Sequence, residues 1–172
     1  MIVVVITGVL AAVAIPAFRS YLMKARTAEA ANFLGVIKLR QEAYRAEFGA
    51  YAALQADMAA VTFVPGDAAF MAGGGTRTWT NGQPFIDIGA QPDSANVRFG
   101  YGVAAGTPGQ ADGSNGGMNL IGAPYNLPQN QVDFYFVAQA VADFDADGKA
   151  MIFELTSFSR EMWSSDSGKG WD

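Results

Sequence analysis

The chain has 172 residues, 51% of them hydrophobic, and a formal net charge of −5. It contains neither cysteine nor histidine, which excludes thiol catalysis, His-containing catalytic triads and the usual zinc sites. Residues 1–50 carry six basic and three acidic side chains, whereas residues 51–172 carry five basic and thirteen acidic ones. This acidic second part argues against a specific nucleic-acid partner, because duplex binding needs clustered lysine and arginine.

The first element is an apolar run from Met1 to Phe18, which has no charged residue and is followed by Arg19, Lys24 and Arg26. As a helix this run would span about 27 Å, close to the ~30 Å hydrocarbon core of a bilayer. A signal peptide has the opposite order of charges, and no small-residue cleavage site follows. The run therefore predicts a retained anchor that lies in lipid or packs against other copies of itself.

Two residues weaken this helix. Pro16 lacks an amide hydrogen, and an interior proline costs a helix on the order of 3 kcal/mol. Gly8 lies two turns earlier. The segment between them is a predicted kink or unwinding point, although proline and glycine are also common in membrane helices.

The helical pattern continues beyond Pro16 and becomes amphipathic. Gly49 then occupies the position of a left-handed cap, which predicts a helix about 70 Å long. The aromatic and aliphatic stripe is expected to pack beneath a sheet. Its members recur at three- and four-residue steps: Ala30, Phe33, Leu34, Ile37, Tyr44 and Phe48.

The rest of the chain alternates loop and strand patterns. Glycine-rich stretches at 72–85 and 104–131 predict loops. In NVRFGYGVA, Phe99, Tyr101 and Val103 share one face, and Gly100 and Gly102 leave room on the other. DFYFVAQAVA and AMIFELTSF, separated by DFDADGK, predict a hairpin. PFIDIGA is a candidate fourth strand, and the alanine-rich residues 51–65 suggest a short helix followed by a strand at 61–64.

The predicted fold class is α+β: a long amino-terminal helix, transmembrane in its first half and amphipathic in its second, packs against a carboxy-terminal antiparallel sheet. The predicted parts are a membrane anchor or filament core over 1–22, the amphipathic half over 23–49, a connecting region over 50–95, a sheet with a glycine-rich loop over 96–160 and a terminal loop over 161–172.

The strings MIVV and GVLAAVAIPAFRSYLMKARTAEA, within residues 1–30, resemble the amino-terminal stem of type IV pilins and of the related pseudopilins of type II secretion. The resemblance implies the pilin fold, in which the first half of the helix inserts into the inner membrane and later forms the core of a helical filament. In that family the span corresponding to Gly8–Pro16 tends to lose helical order on assembly.

The function implied by this resemblance is structural and not enzymatic: a major pilin that polymerises into an extracellular type IV pilus for adhesion, surface motility or DNA uptake. Implied partners are other copies of the chain, the inner membrane, the pilus assembly machinery and a prepilin peptidase. The implied assembly residues are Met1, Ile2, Val3, Val4, Val5, Ile6, Gly8, Leu10, Ile15, Pro16 and Phe18.

Two alternatives remain open. One is the major pseudopilin of a type II secretion system, against which the long glycine- and asparagine-rich insertion at 102–131 argues, because those heads are usually compact. The other is a membrane-anchored binding domain.

The sequence departs from the family pattern in two places. Family members are cut before a methylated phenylalanine that precedes a glutamate in the stem, whereas the first acidic residue here is Glu29. We expect further residues to precede Met1; the alternative is assembly without that glutamate. The cysteine-closed loop near the family's carboxyl terminus is also missing.

One candidate metal site follows from spacing alone. Asp143, Asp145, Asp147, Gly148 and Glu154 fit the calcium-loop pattern D-x-D-x-D-G-x5-E. The flanking sequence is β-type, so an ordinary hairpin turn with Asp147 and Gly148 at positive φ is an equal alternative. No other cofactor is expected.

Overall fold

A computed structural model describes residues 2–52, 54, 61–67, 71–80, 82–109 and 132–165, with the main chain alone at 16, 19, 20, 23 and 24. Met1, most of the alanine-rich connection, residues 110–131 of the glycine-rich insertion and the tail after Ser165 lie outside it. The elements in chain order are α1 (Ile2–Phe48), β1 (Arg77–Thr78), α2 (Gln83–Asp87), β2 (Asn96–Val97), β3 (Gly100–Gly106), β4 (Tyr135–Ala142), β5 (Met151–Thr156) and β6 (Trp163–Ser164).

Helix α1 is continuous over 47 residues, so its backbone stays helical through Gly8 and Pro16, the two predicted weak points. It ends where the sequence predicts. Gly49 adopts a φ of 76° and donates its amide hydrogen to the Arg45 carbonyl at 2.8 Å. A residue with a side chain would be strained in this left-handed conformation, so glycine is the natural helix terminator.

The prediction that the first half of α1 spans a membrane is wrong. Among the described residues, no stretch of helix combines the length and the apolar character that crossing a membrane requires. The described apolar stretch from Ile2 to Ile15 rises only about 21 Å as a helix, which is less than the ~30 Å of a hydrocarbon core.

The sheet has four antiparallel strands in the order β3-β4-β5-β6, and β1 and β2 form a separate antiparallel pair. Strands β4 and β5 form the predicted hairpin, with Val137 opposite Thr156 and Ala142 opposite Met151. The fourth strand is β6, which pairs with β5 and lies in the segment predicted as a terminal loop. The antiparallel sheet of an α+β fold is thus present.

Helix α1 covers one face of this sheet. Ala30, Phe33, Leu34 and Ile37 are buried, and the Phe33 ring meets Tyr101 of β3 edge to face, with centroids 4.6 Å apart. Burying each large side chain stabilises the fold by about 1.5–3 kcal/mol. The predicted stripe is therefore correct at its first four positions, whereas Tyr44 is half-buried and Phe48 is exposed.

The other face of the sheet is covered by residues 61–66. Val64 and Tyr101 exchange two main-chain hydrogen bonds of 2.9 and 2.8 Å, so the predicted strand at 61–64 forms a single bridge. A Cβ atom on Gly100 would lie 1.8 Å from the Gly66 carbonyl oxygen. The room at Gly100 is thus filled by main chain, and the room at Gly102 by the side chains of Val61 and Phe63.

The segment PFIDIGA is not a strand, and that prediction is wrong. Its first four residues belong to α2, which begins after Gly82 with a proline in its first turn. Proline is favourable there because its missing N–H has no helical partner anyway. Gly89, at a φ of 73°, follows the helix, and Phe85 is buried against Phe33 and Trp79.

Polar side chains of α1 bind the head, which we define as the described residues after α1. Three of these polar anchors are Glu29, Lys38 and Gln41. The Glu29 carboxylate accepts hydrogen bonds from the amide and guanidinium of Arg98 at 2.7 and 3.3 Å. Lys38 donates to the carbonyls of Thr156 and Ser159. The buried Gln41 amide exchanges two hydrogen bonds with the main chain of Ala52, at 3.0 and 2.9 Å.

Candidate functional site

The first candidate site is the apolar segment, which we define as residues 2–22 of α1. From Ile2 to Phe18, each large hydrophobic side chain that the structure describes is between 53% and 76% exposed. Those side chains are Ile2, Val3, Val4, Val5, Ile6, Val9, Leu10, Val13, Ile15 and Phe18.

The apolar segment is hydrophobic on all sides of the helix, since consecutive residues such as Ile2 to Ile6 project in every direction around the axis. A helix of this kind is normally buried. The head supplies no cover: among the described side chains, the first buried hydrophobic one is Ala30. The segment is therefore a surface whose burial requires another molecule.

The predicted assembly residues from Ile2 to Phe18 lie together on this segment, with Met1 outside the described residues and Pro16 described in its main chain only. Gly8 has no atom within 4 Å of where a Cβ would be, apart from its own helix. Glu29 lies beyond the segment and is engaged by Arg98 inside the head. The described part of the segment thus contains no carboxylate.

The second candidate site is the acidic turn, residues 143–148, which connects β4 to β5. Asp143, Asp145 and Asp147 each place a carboxylate oxygen within 4.8 Å of the others. Partial desolvation raises the pKa of Asp145, and the neighbouring carboxylates of Asp143 and Asp147 raise it further. The turn thus concentrates negative charge.

Main-chain amides shape the acidic turn. Gly148 donates to Asp143 Oδ2 at 2.9 Å, and Lys149 donates to Asp147 Oδ1 at 2.7 Å. The residues at positive φ are Ala146 and Gly148, so Ala146 takes the place predicted for Asp147. These bonds leave Oδ1 of the buried Asp143 without a hydrogen-bond partner among the described residues.

The structure does not bring Glu154 to this cluster. Glu154 lies in β5, where its Oε2 accepts a hydrogen bond of 2.6 Å from Gln139 of β4. Cross-strand pairing places it between Gln139 and Trp163. The calcium-loop pattern predicts that Glu154 binds the ion. In the structure Glu154 belongs to β5 and its side chain is bound within the sheet.

A cleft of about 420 Å³ lies between α1 and the loop at 91–98. Glu29 and Arg98 line it and pair with each other. Asn32 and Gln91, which also line it, are neutral amides. The cleft residues that the structure describes include no nucleophile held by a neighbouring base, so we assign it no chemistry.

Sequence reasoning missed the burial of Asp143 and the anchoring roles of Lys38 and Gln41. A signal existed for Gln41, because it falls one turn after Ile37 on the apolar stripe and is thus a polar residue at a core position. No comparable signal marks Asp143, whose burial comes from the packing of distant segments.

No protein-family model, no curated protein and no solved structure matches this chain.

Proposed function

We propose that this protein is a structural subunit of the type IV pilin kind, which polymerises into an extracellular filament by burying its apolar segment among copies of itself. One observation carries the proposal: from Ile2 to Phe18 the segment exposes ten large hydrophobic side chains that no described part of the head covers. The resemblance of residues 1–30 to pilin stems supports the same conclusion.

The energetics favour such a bundle. Full burial of one Val, Leu or Ile side chain is worth about 1.5–3 kcal/mol, whereas association costs an estimated 4–15 kcal/mol in lost translational and rotational freedom. Burial of the segment's many apolar side chains therefore exceeds the cost of ordering one subunit. Because the segment is apolar all round, it can contact several neighbours at once.

The apolar segment carries no acidic side chain that could fix the register between subunits, and Arg19 is its one charged residue. Glu29 is held by Arg98 in the head. In the described residues, assembly therefore relies on apolar packing. The head, with its excess of acidic residues, would face outward, and the pilus assembly machinery and a prepilin peptidase are the partners that the resemblance implies.

Val9→Asp tests this proposal. A carboxylate buried in an apolar bundle without a partner costs several kcal/mol, so we expect the wild-type chain to form long filaments in electron micrographs and Val9→Asp to form none. Val132→Asp is the matched control, because Val132 is 92% exposed and lies outside α1. The proposal fails if wild-type protein stays monomeric after detergent removal or if both variants polymerise alike.

A further inference from the structure

The acidic turn carries an inference that is independent of polymerisation. Asp143 is only 4% exposed, and its Oδ1 has no hydrogen-bond partner among the described residues. Burying a carboxylate oxygen without a partner is costly. Asp145 and Asp147, which are exposed, bring two more carboxylates beside it, so the turn places one buried and two accessible negative groups around one point.

We propose that the acidic turn binds one Ca²⁺ ion between the carboxylates of Asp143, Asp145 and Asp147. Calcium binds oxygen ligands at 2.3–2.6 Å, so two oxygens on opposite sides of one ion lie about 5 Å apart. The three carboxylate oxygens already lie within 4.8 Å of one another. This spread is compatible with three ligands of one calcium ion.

The oxygen ligands of the acidic turn favour calcium over zinc and magnesium. The cluster offers only oxygen, whereas structural zinc sites use sulfur or nitrogen ligands. Magnesium demands a near-ideal octahedron, while calcium accepts irregular shells of six to eight oxygens, including water. The exposed side of Asp145 and Asp147 leaves room for water ligands. Glu154 is not a ligand in this proposal, because Gln139 holds it in the sheet.

The ion would stiffen the junction between the head and α1. The Asp143 carbonyl accepts a hydrogen bond of 2.9 Å from the amide of Gly73. The Arg26 guanidinium lies over the Phe144 ring, 5.9 Å from its centroid. The acidic turn thus contacts both the loop at 71–75 and the part of α1 that follows the apolar segment, and calcium binding would fix all three together.

Calcium titration of the full chain, dispersed in mild detergent and freed of metal by a chelator, tests the proposal. Extracellular calcium modules bind with Kd values of about 10⁻⁴–10⁻³ M. At about 10 mM CaCl₂ we therefore expect the thermal unfolding midpoint to rise by roughly 3–11 °C, and calorimetry to give one ion per chain. Sodium chloride at equal ionic strength should produce no such rise.

Asp145→Asn is the informative variant, because this side chain is exposed and its loss leaves the fold intact. It should abolish the calcium-dependent rise, while Asp93→Asn, which makes the same charge change at another exposed position, should retain it. The proposal is overturned if calcium leaves the wild-type midpoint unchanged, if sodium chloride matches it, or if Asp145→Asn responds like wild type. Since dispersed chains are used, this result does not depend on filament formation.

Discussion

Glu154 and Gln139 form a buried pair on the outer face of the sheet. Glu154 is 1% exposed, and burial raises the pKa of its carboxyl above the ordinary value of 4.5. Besides the hydrogen bond between them, Oε1 of each residue has no partner among the described residues. Ionised Glu154 therefore holds a negative charge that its surroundings solvate incompletely.

The variant Glu154→Gln should stabilise the protein. The new amide can accept from Gln139 and donate to its unpartnered Oε1, so we expect a gain of about 1–2 kcal/mol at pH 8. Because the folded-state pKa of Glu154 is raised, the stability that its neutral form contributes is fully present below pH 4.5 and is lost as pH rises through the raised value. The gain should accordingly shrink at pH 4.

Urea unfolding of wild type and variant at pH 4 and pH 8 measures this difference. Glu161→Gln is the control, since Glu161 is exposed and its neutralisation should leave the pH profile unchanged. A variant that unfolds at the same or a lower urea concentration than wild type at pH 8 would contradict the interpretation.

At the scale of elements, the contact between β3 and residues 61–66 depends on glycine. Gly100→Ala would place a Cβ atom 1.8 Å from the Gly66 carbonyl, so the covering segment would have to move. We expect a loss of about 3 kcal/mol in the free energy of unfolding, measured by chemical denaturation.

Gly35→Ala is the matched change on α1. Gly35 is exposed and has nothing within 4 Å of its Cβ position outside its own helix, so alanine should stabilise the helix by about 1 kcal/mol. If Gly100→Ala and Gly35→Ala changed the free energy of unfolding equally, the close contact between Gly100 and Gly66 would not be important for stability.

The elements that could be predicted from sequence are those with a strong local pattern. The end of α1 at Gly49 and the β4–β5 hairpin follow from a capping residue and from apolar runs separated by a turn. PFIDIGA was misread as a strand: Ile86 and Ile88 are two residues apart, as in a strand, whereas Pro84 is a helix-start signal. Two residues of β6 are too few to show a period.

The candidate sites, too, could be predicted only in the features that a local sequence pattern determines. The exposed large side chains from Ile2 to Phe18 lie in the run that the sequence shows to be free of charge, whereas the prediction that these residues span a membrane is wrong. The acidic turn was found by spacing, but spacing cannot show that Asp143 is buried or that Glu154 belongs to the sheet. Both facts depend on which segments cover the turn and the sheet in three dimensions.

For the whole molecule, the structure predicts that folding and self-association can be separated. No described side chain of residues 2–22 is buried. A chain lacking these residues should therefore keep the thermal unfolding midpoint of the full chain in the same detergent, yet stay monomeric without it.

Analytical ultracentrifugation after detergent removal, together with circular dichroism melting, measures both properties. Continued oligomerisation of the shortened chain would place the association surface in the head. A large drop in its midpoint would show that the head needs the removed helix to fold.

The spacing of the three polar anchors has a mechanical consequence. Glu29, Lys38 and Gln41 attach to Arg98, to the end of β5 with the residues just after it, and to Ala52, along about 18 Å of helix. A pulling force on the apolar segment would be divided among the three polar anchors, which bind separate parts of the head. No single hydrogen bond would therefore have to resist the whole force.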